Sequence, residues 1–207
     1  MKLWVEMVTL RQMLTEEEKR ALLSIARASI ERALEVGPPG PGGSPRHHPE
    51  VDGLRELTGC LAEPRGAFVT IKLKGLLRGC IGYIESPLPL ARVVAEVALK
   101  AAIEDPRFPP LTPAEAEAME VEVSVLSPLK PVADVGEIQV GVHGLVLELG
   151  RNRGLLLPQV ALEYGWGRQT FLEHTARKAG LPPNAWEDPR AKIFLFSAEV
   201  IREGHHE

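Results

Sequence analysis

Apolar residues Leu22, Ile25, Ala26, Ile30, Ala33 and Leu34 recur at helical spacing, with charged residues between them. This is the stripe of a helix that packs one face on a core. Thr15-Glu16-Glu17-Glu18 reads as its capping box, and Gly37-Pro38-Pro39 ends it. Residues 37–49, GPPGPGGSPRHHP, suit neither a helix nor an interior strand, so they read as a Pro/Gly-rich connector. The pattern then changes: Ala67–Leu73 and Leu76–Ile84 have strand character around Lys74-Gly75, which predicts a hairpin.

Residues 87–104 return to helical periodicity and stop at Asp105-Pro106. A proline-stiffened segment runs to Thr112, which with Pro113 caps a short Ala/Glu helix. Val121, Val123 and Val125 alternate with polar residues, as in a half-buried antiparallel strand. Residues 142–149 and 154–157 predict a second hairpin around Gly150-Arg-Asn-Arg. Residues 159–164 and 169–179 are helical by pattern, Gly180 is a helix stop, and 191–201 reads as one final strand. Regular βαβ spacing, internal repeats, a P-loop and a dinucleotide fingerprint are all missing, which predicts an α+β fold with mostly antiparallel sheet.

Composition narrows the picture further. The 207 residues are 44% hydrophobic and 25% charged, the mix of one globular chain rather than a disordered one. A net charge of −4 disfavours a basic nucleic-acid-binding body, although a local basic groove stays open. No apolar run reaches bilayer length and no signal-peptide pattern opens the chain, so a cytoplasmic location away from membranes is expected. Cys60 and Cys80 are too few for a disulfide framework and are expected to be free thiols. Many Gly and Pro, more Arg than Lys and very little Asn lean towards a thermophilic source.

The densest unusual stretch is Leu77-Arg78-Gly79-Cys80-Ile81-Gly82-Tyr83, where two glycines interrupt a strand built to pack. Simple alternation puts Arg78, Cys80 and Gly82 on one face. A guanidinium about 6 to 7 Å along the strand would favour a thiolate, as a nucleophilic cysteine requires. The plainer alternative is a packed cysteine beside an arginine paired to a carboxylate.

Asp105 and Arg107 either present a carboxylate and a guanidinium to an anionic substrate or form a local ion pair in a turn. His143 is a candidate general base for Cys80 if the two hairpins face each other, or else an ordinary turn histidine. His174 reads as a solvated helical side chain. Tyr164, Trp166 and Phe171 either stack a base or belong to the core. His47-His48 and His205-His206 lack metal-ligand spacing, so neither an intrinsic metal nor another cofactor is expected.

These residues together resemble the AMMECR1-domain family of the prokaryotic type, also called AmmeMemoRadiSam system protein A. The resemblance is carried by Pro64-Arg-Gly-Ala-Phe-Val-Thr70, Leu77-Arg-Gly-Cys-Ile-Gly82, Pro89-Leu90 and Asp105-Pro-Arg-Phe-Pro-Pro-Leu111. It continues through Val123-Ser-Val-Leu126, Gly141-Val-His-Gly-Leu145, Gly154-Leu-Leu-Leu-Pro-Gln-Val-Ala161 and Lys178-Ala-Gly-Leu181. It implies a single domain over 1–207, with two unequal lobes, a cleft between them, and Arg78–Gly82 as the signature strand.

The resemblance further implies association with Memo-like and radical-SAM proteins. Ala176 stands where many relatives carry cysteine, so any thiol chemistry here rests on Cys80; His143 stands where some carry an acid. Three readings follow: an enzyme or catalytic accessory subunit using Cys80 near Arg78, with Gly79, Gly82, Asp105 and Arg107 lining the site; a module binding nucleic acid or an anionic ligand, with Arg151, Arg153 and Arg168 contributing; or a scaffold without chemistry. The reaction, the substrate and the oligomeric state are left open by all three.

Overall fold

The computed structural model describes residues 14–36, 51 and 57–203. The connector at 37–49, including His47 and His48, and the tail histidines His205 and His206 lie outside the described residues. Among the described residues the α-helices with defined ends are, in chain order, α1 (Glu16–Val36), α2 (Leu90–Ile103), α3 (Pro113–Glu117), α4 (Pro158–Glu163) and α5 (Arg168–Lys178). The strands are β1 (Ala67–Leu73), β2 (Leu76–Tyr83), β3 (Met119–Leu126), β4 (Lys130–Pro131), β5 (Gly144–Leu149), β6 (Asn152–Leu156), β7 (Lys192–Phe196) and β8 (Ala198–Arg202). The fold is α+β, with two four-stranded sheets among the described residues, and the chain divides into two compact units. No helix among the described residues is long and apolar enough to cross a membrane.

The first unit comprises Met1–Val125 and Glu199–Glu207. Its sheet has the order β2-β1-β3-β8, with β1 antiparallel to both β2 and β3. Helix α1 is capped as its sequence predicts: the Glu18 N–H donates to Thr15 Oγ1 at 3.2 Å and the Thr15 N–H donates to Glu18 Oε2 at 2.8 Å. Its Leu22, Ala26 and Ile30 are wholly buried.

Helix α2 packs on α1 and on strands β1 and β2, which explains its Ala/Val/Leu-rich composition. A helix covered on both sides must be apolar nearly all round. It begins at Leu90 rather than at residue 87, because Pro89 occupies the N-cap and Pro64 bridges to Pro89. The core joins these helices to Ala67, Val69, Ile71, Val121 and Val123, the inward half of each alternating strand.

The second unit is Leu126–Ala198. Its sheet is antiparallel in the order β4-β7-β5-β6, and Ile138, Leu145, Ala161, Phe171, Leu172 and Leu195 build its core. Phe171 is therefore a core residue and no candidate for base stacking. The single strand expected over 191–201 is corrected: it divides at Ser197 into β7, paired with β5 in the second unit, and β8, beside β3 in the first. Ser127 causes the break, because its Oγ accepts from the Ser197 N–H at 3.0 Å and its N–H donates to the Ser197 carbonyl at 2.9 Å.

Candidate functional site

Strand β2 is an edge strand, and the signature residues lie on it. Its turn is tight, with Lys74 and Gly75 at φ 52° and 75°, the left-handed pair that a two-residue hairpin demands. From that turn, Leu73 faces Leu76 and Lys72 faces Leu77; Ile71 then faces Gly79. Arg78 is thus the extra residue of a β-bulge, which re-aims a side chain and shifts register. The shift brings Cys80 opposite Thr70, whose hydroxyl donates to the Cys80 sulfur at 3.3 Å.

An edge strand leaves alternate backbone groups unpaired, and at Cys80 two side chains take the place of a neighbouring strand. The Cys80 N–H donates to Asp105 Oδ2 at 2.8 Å, while Arg107 Nη2 donates to the Cys80 carbonyl at 3.0 Å. Asp105 and Arg107 are also bound to each other in a fork, Nε to Oδ1 at 2.9 Å and Nη2 to Oδ2 at 2.6 Å. The Asp105 side chain is only 2% exposed. The Arg107 guanidinium, hydrogen-bonded to it, holds its carboxyl well below the usual carboxylate range; burial opposes this, and the Cys80 N–H reinforces it.

Arg78 is committed elsewhere than to the thiol. Its Nε and Nη2 reach Glu115 Oε1 and Oε2 at 2.9 and 3.1 Å, and its Nη1 and Nη2 donate to the Pro109 and Pro110 carbonyls at 2.9 and 3.2 Å. The guanidinium also lies 5.9 Å from the centre of the Phe108 ring. Hydrogen bonding to Arg78, with further support from the Thr112 N–H, pulls the Glu115 carboxyl down to about 2. Thr112 and Glu115 form a capping box that opens α3. Arg78 therefore staples the proline-rich segment to the bulge.

Each signature glycine answers a close approach. A Cβ on Gly79 would stand 2.2 Å from the Ala101 carbonyl oxygen of α2, and one on Gly82 would stand 2.2 Å from the Phe68 ring. On the inward face, the Tyr83 hydroxyl donates to Glu96 Oε1 and accepts from Lys100 Nζ, both at 2.5 Å, which ties the strand to α2.

The structure thus brings together Arg78, Gly79, Cys80, Gly82, Asp105 and Arg107. His143 belongs to the second unit, in the turn before β5, where its Nδ1 accepts from the Gln139 N–H at 3.1 Å. Thr70 and Glu115 are contributors that sequence reading does not single out. Counting back from the turn without the bulge sets Thr70 opposite Gly79, and nothing local links residue 115 to residue 78. No group of three or more His, Cys, Asp or Glu that would hold a metal occurs among the described residues.

The AMMECR1 family model matches residues 23–201, and the chain belongs to this family. A protein of Methanothermobacter thermautotrophicus is 44% identical over 196 residues, covering 92% of this chain and 96% of the relative. Protein MK0488 of Methanopyrus kandleri is 42% identical over 199 residues, covering 92% and 90%. The crystal structure of uncharacterized protein PH0010 from Pyrococcus horikoshii superposes with a TM-score of 0.72 at 38% identity, covering 88% of this chain and 89% of that one. Relatives from heat-loving archaea accord with the Arg-rich, Asn-poor composition.

Proposed function

We propose that this chain acts through the Cys80 thiol, as an enzyme or catalytic accessory subunit whose site uses Cys80 near Arg78. The observation that carries this reading is the clasp on one residue: Asp105 and Arg107 hold the Cys80 backbone, Thr70 holds its sulfur, and Cys80 as a residue stays partly exposed. Fixed position and access together are what a nucleophile needs, since orientation lowers the barrier only when it is set in advance. The other signature residues have structural tasks: Gly79 and Gly82 admit close neighbours, and Arg78 anchors the segment leading to α3. Arg78, Asp105 and Arg107 are accordingly positioning residues in this reading. The pathway association with Memo-like and radical-SAM proteins that the family resemblance implies would make the role an accessory one.

The test is competitive alkylation of the folded protein with iodoacetamide, read by mass spectrometry at each cysteine. Cys60 is 6% exposed, and burial pushes its thiol up. Cys80 is expected to react at least about tenfold faster than Cys60, with the two rates converging once the chain is unfolded. Equal protection of both thiols in the native protein would remove the reading.

A further inference from the structure

The second unit carries a feature that the thiol site does not use. Three of its side chains form a column of rings. Tyr164 and Trp166 stack at 4.9 Å between ring centres with their planes 18° apart, and Trp166 stacks on His174 at 3.9 Å and 14°. Sequence and fold build this column together. Tyr164 closes α4, Gly165 takes φ 63° to turn the chain, and the Trp166 N–H returns to the Ala161 carbonyl at 2.8 Å. Trp166 is thereby held against the core of the unit while Tyr164 projects from it, 67% exposed.

A large aromatic residue left this exposed at the end of a stack offers a ring face on which another planar ring can continue the column. Leu162 and Val142 are also exposed, and Leu162 lies over Gly141.

Two cations follow the column along α5. His174 lies on α5, and Arg177 and Lys178 follow it at the three- and four-residue spacings that share a helix face. Long side chains on a helix lean back over the preceding turn, towards His174 in this case. Both are exposed, and among the described residues neither side chain has a hydrogen-bonding or ion-pairing partner. The acid on the same helix, Glu173, accepts a hydrogen bond from the Gln169 amide at 3.0 Å. The second unit holds eight Lys and Arg against seven Asp and Glu, whereas the whole chain is net −4.

We propose that Tyr164, Trp166 and His174 form a stacking platform for an unpaired base of single-stranded nucleic acid, with Arg177 and Lys178 meeting the adjoining phosphates. A planar π-face next to unpaired cations is the pairing that single-strand binding uses, because every base has a ring to stack and every linkage a charge to neutralise. The Tyr164 face takes the base. Its backbone runs along the column towards α5.

The experiment is fluorescence anisotropy of a labelled oligouridylate strand with the full chain at low salt. Binding is expected, and Tyr164→Ala is expected to weaken it about 5- to 160-fold, while Tyr164→Phe stays close to wild type. Because the Tyr164 ring is mostly exposed, Tyr164→Ala loses only its stack on Trp166 and should lower the thermal midpoint by no more than about 4 °C. Replacing Arg177 and Lys178 together with Gln should lower the salt dependence by about 1.4 in log–log slope. Cys80→Ser should bind the strand normally, so failure of the thiol reading and failure of this one are separable. Absence of binding, Tyr164→Ala binding as wild type, or the duplex or uridine monophosphate binding as tightly as the strand would each overturn the proposal.

Discussion

Gly79→Ala is expected to destabilise the first unit by about 3 kcal/mol, measured as a lowered midpoint in urea with an unchanged slope. The cause is the 2.2 Å between the new Cβ and the Ala101 carbonyl oxygen. That oxygen belongs to the backbone of α2, a helix that is itself buried on two sides, so no side-chain rotation relieves the clash. The helix must move away from β2, and the packing of Ile81 and Tyr83 goes with it. Gly75→Ala is the control: it has open space around it and φ 75°, so its cost is backbone strain alone, about 1 kcal/mol. A Gly79→Ala protein no less stable than Gly75→Ala would show that β2 and α2 are not in this close register.

Asp105→Asn is the second substitution with a large expected effect, about 2 kcal/mol at neutral pH. The amide oxygen can still accept from the Cys80 N–H, but the amide nitrogen is a donor aimed at the Arg107 guanidinium, another donor. The fork is lost, and the edge of β2 loses its substitute strand. The exposed Arg107 is partly compensated by water, which keeps the cost below that of a fully buried pair.

The effect should depend on pH in a defined direction. The folded-state carboxyl of Asp105 titrates below its unfolded value, so its contribution is complete above about pH 4 and is lost as pH falls through the folded-state value. The stability gap between wild type and Asp105→Asn should therefore narrow on acidification. Glu115, held at about 2 by Arg78 and Thr112, weakens the second clamp over the same acid range. A gap that stays constant from neutral pH into that range would show that the carboxylate of Asp105 is not what secures β2. Hydrogen exchange at the Cys80 amide reports the carboxylate–amide bond directly and should be faster in Asp105→Ala, which leaves that N–H without its acceptor.

Much of the fold is legible in the chain because it depends on neighbours a few residues apart. The Thr15–Glu18 box, the stripe of α1, the Lys74-Gly75 turn and the alternation of β3 each express a period or a turn preference contained within one segment. The signature Arg78–Gly82 is equally visible, since two glycines inside a strand rich in packing residues are conspicuous. Asp105 and Arg107 stand out for the same reason, flanked by prolines.

Local elements, the α+β class, the family and the short list of residues from which a site is built can therefore be read along the chain. The tertiary structure alone decided how those residues are used. One bulged residue, Arg78, moves Cys80 from opposite Val69 to opposite Thr70, and so places the sulfur among polar partners. Arg78 is taken up by Glu115, 37 residues away, instead of by the thiol. Ser127 divides the run at 191–201 between two sheets. Each of these is a pairing between distant segments, settled by which arrangement satisfies buried backbone groups and charges together, and no periodicity within a single segment encodes that choice.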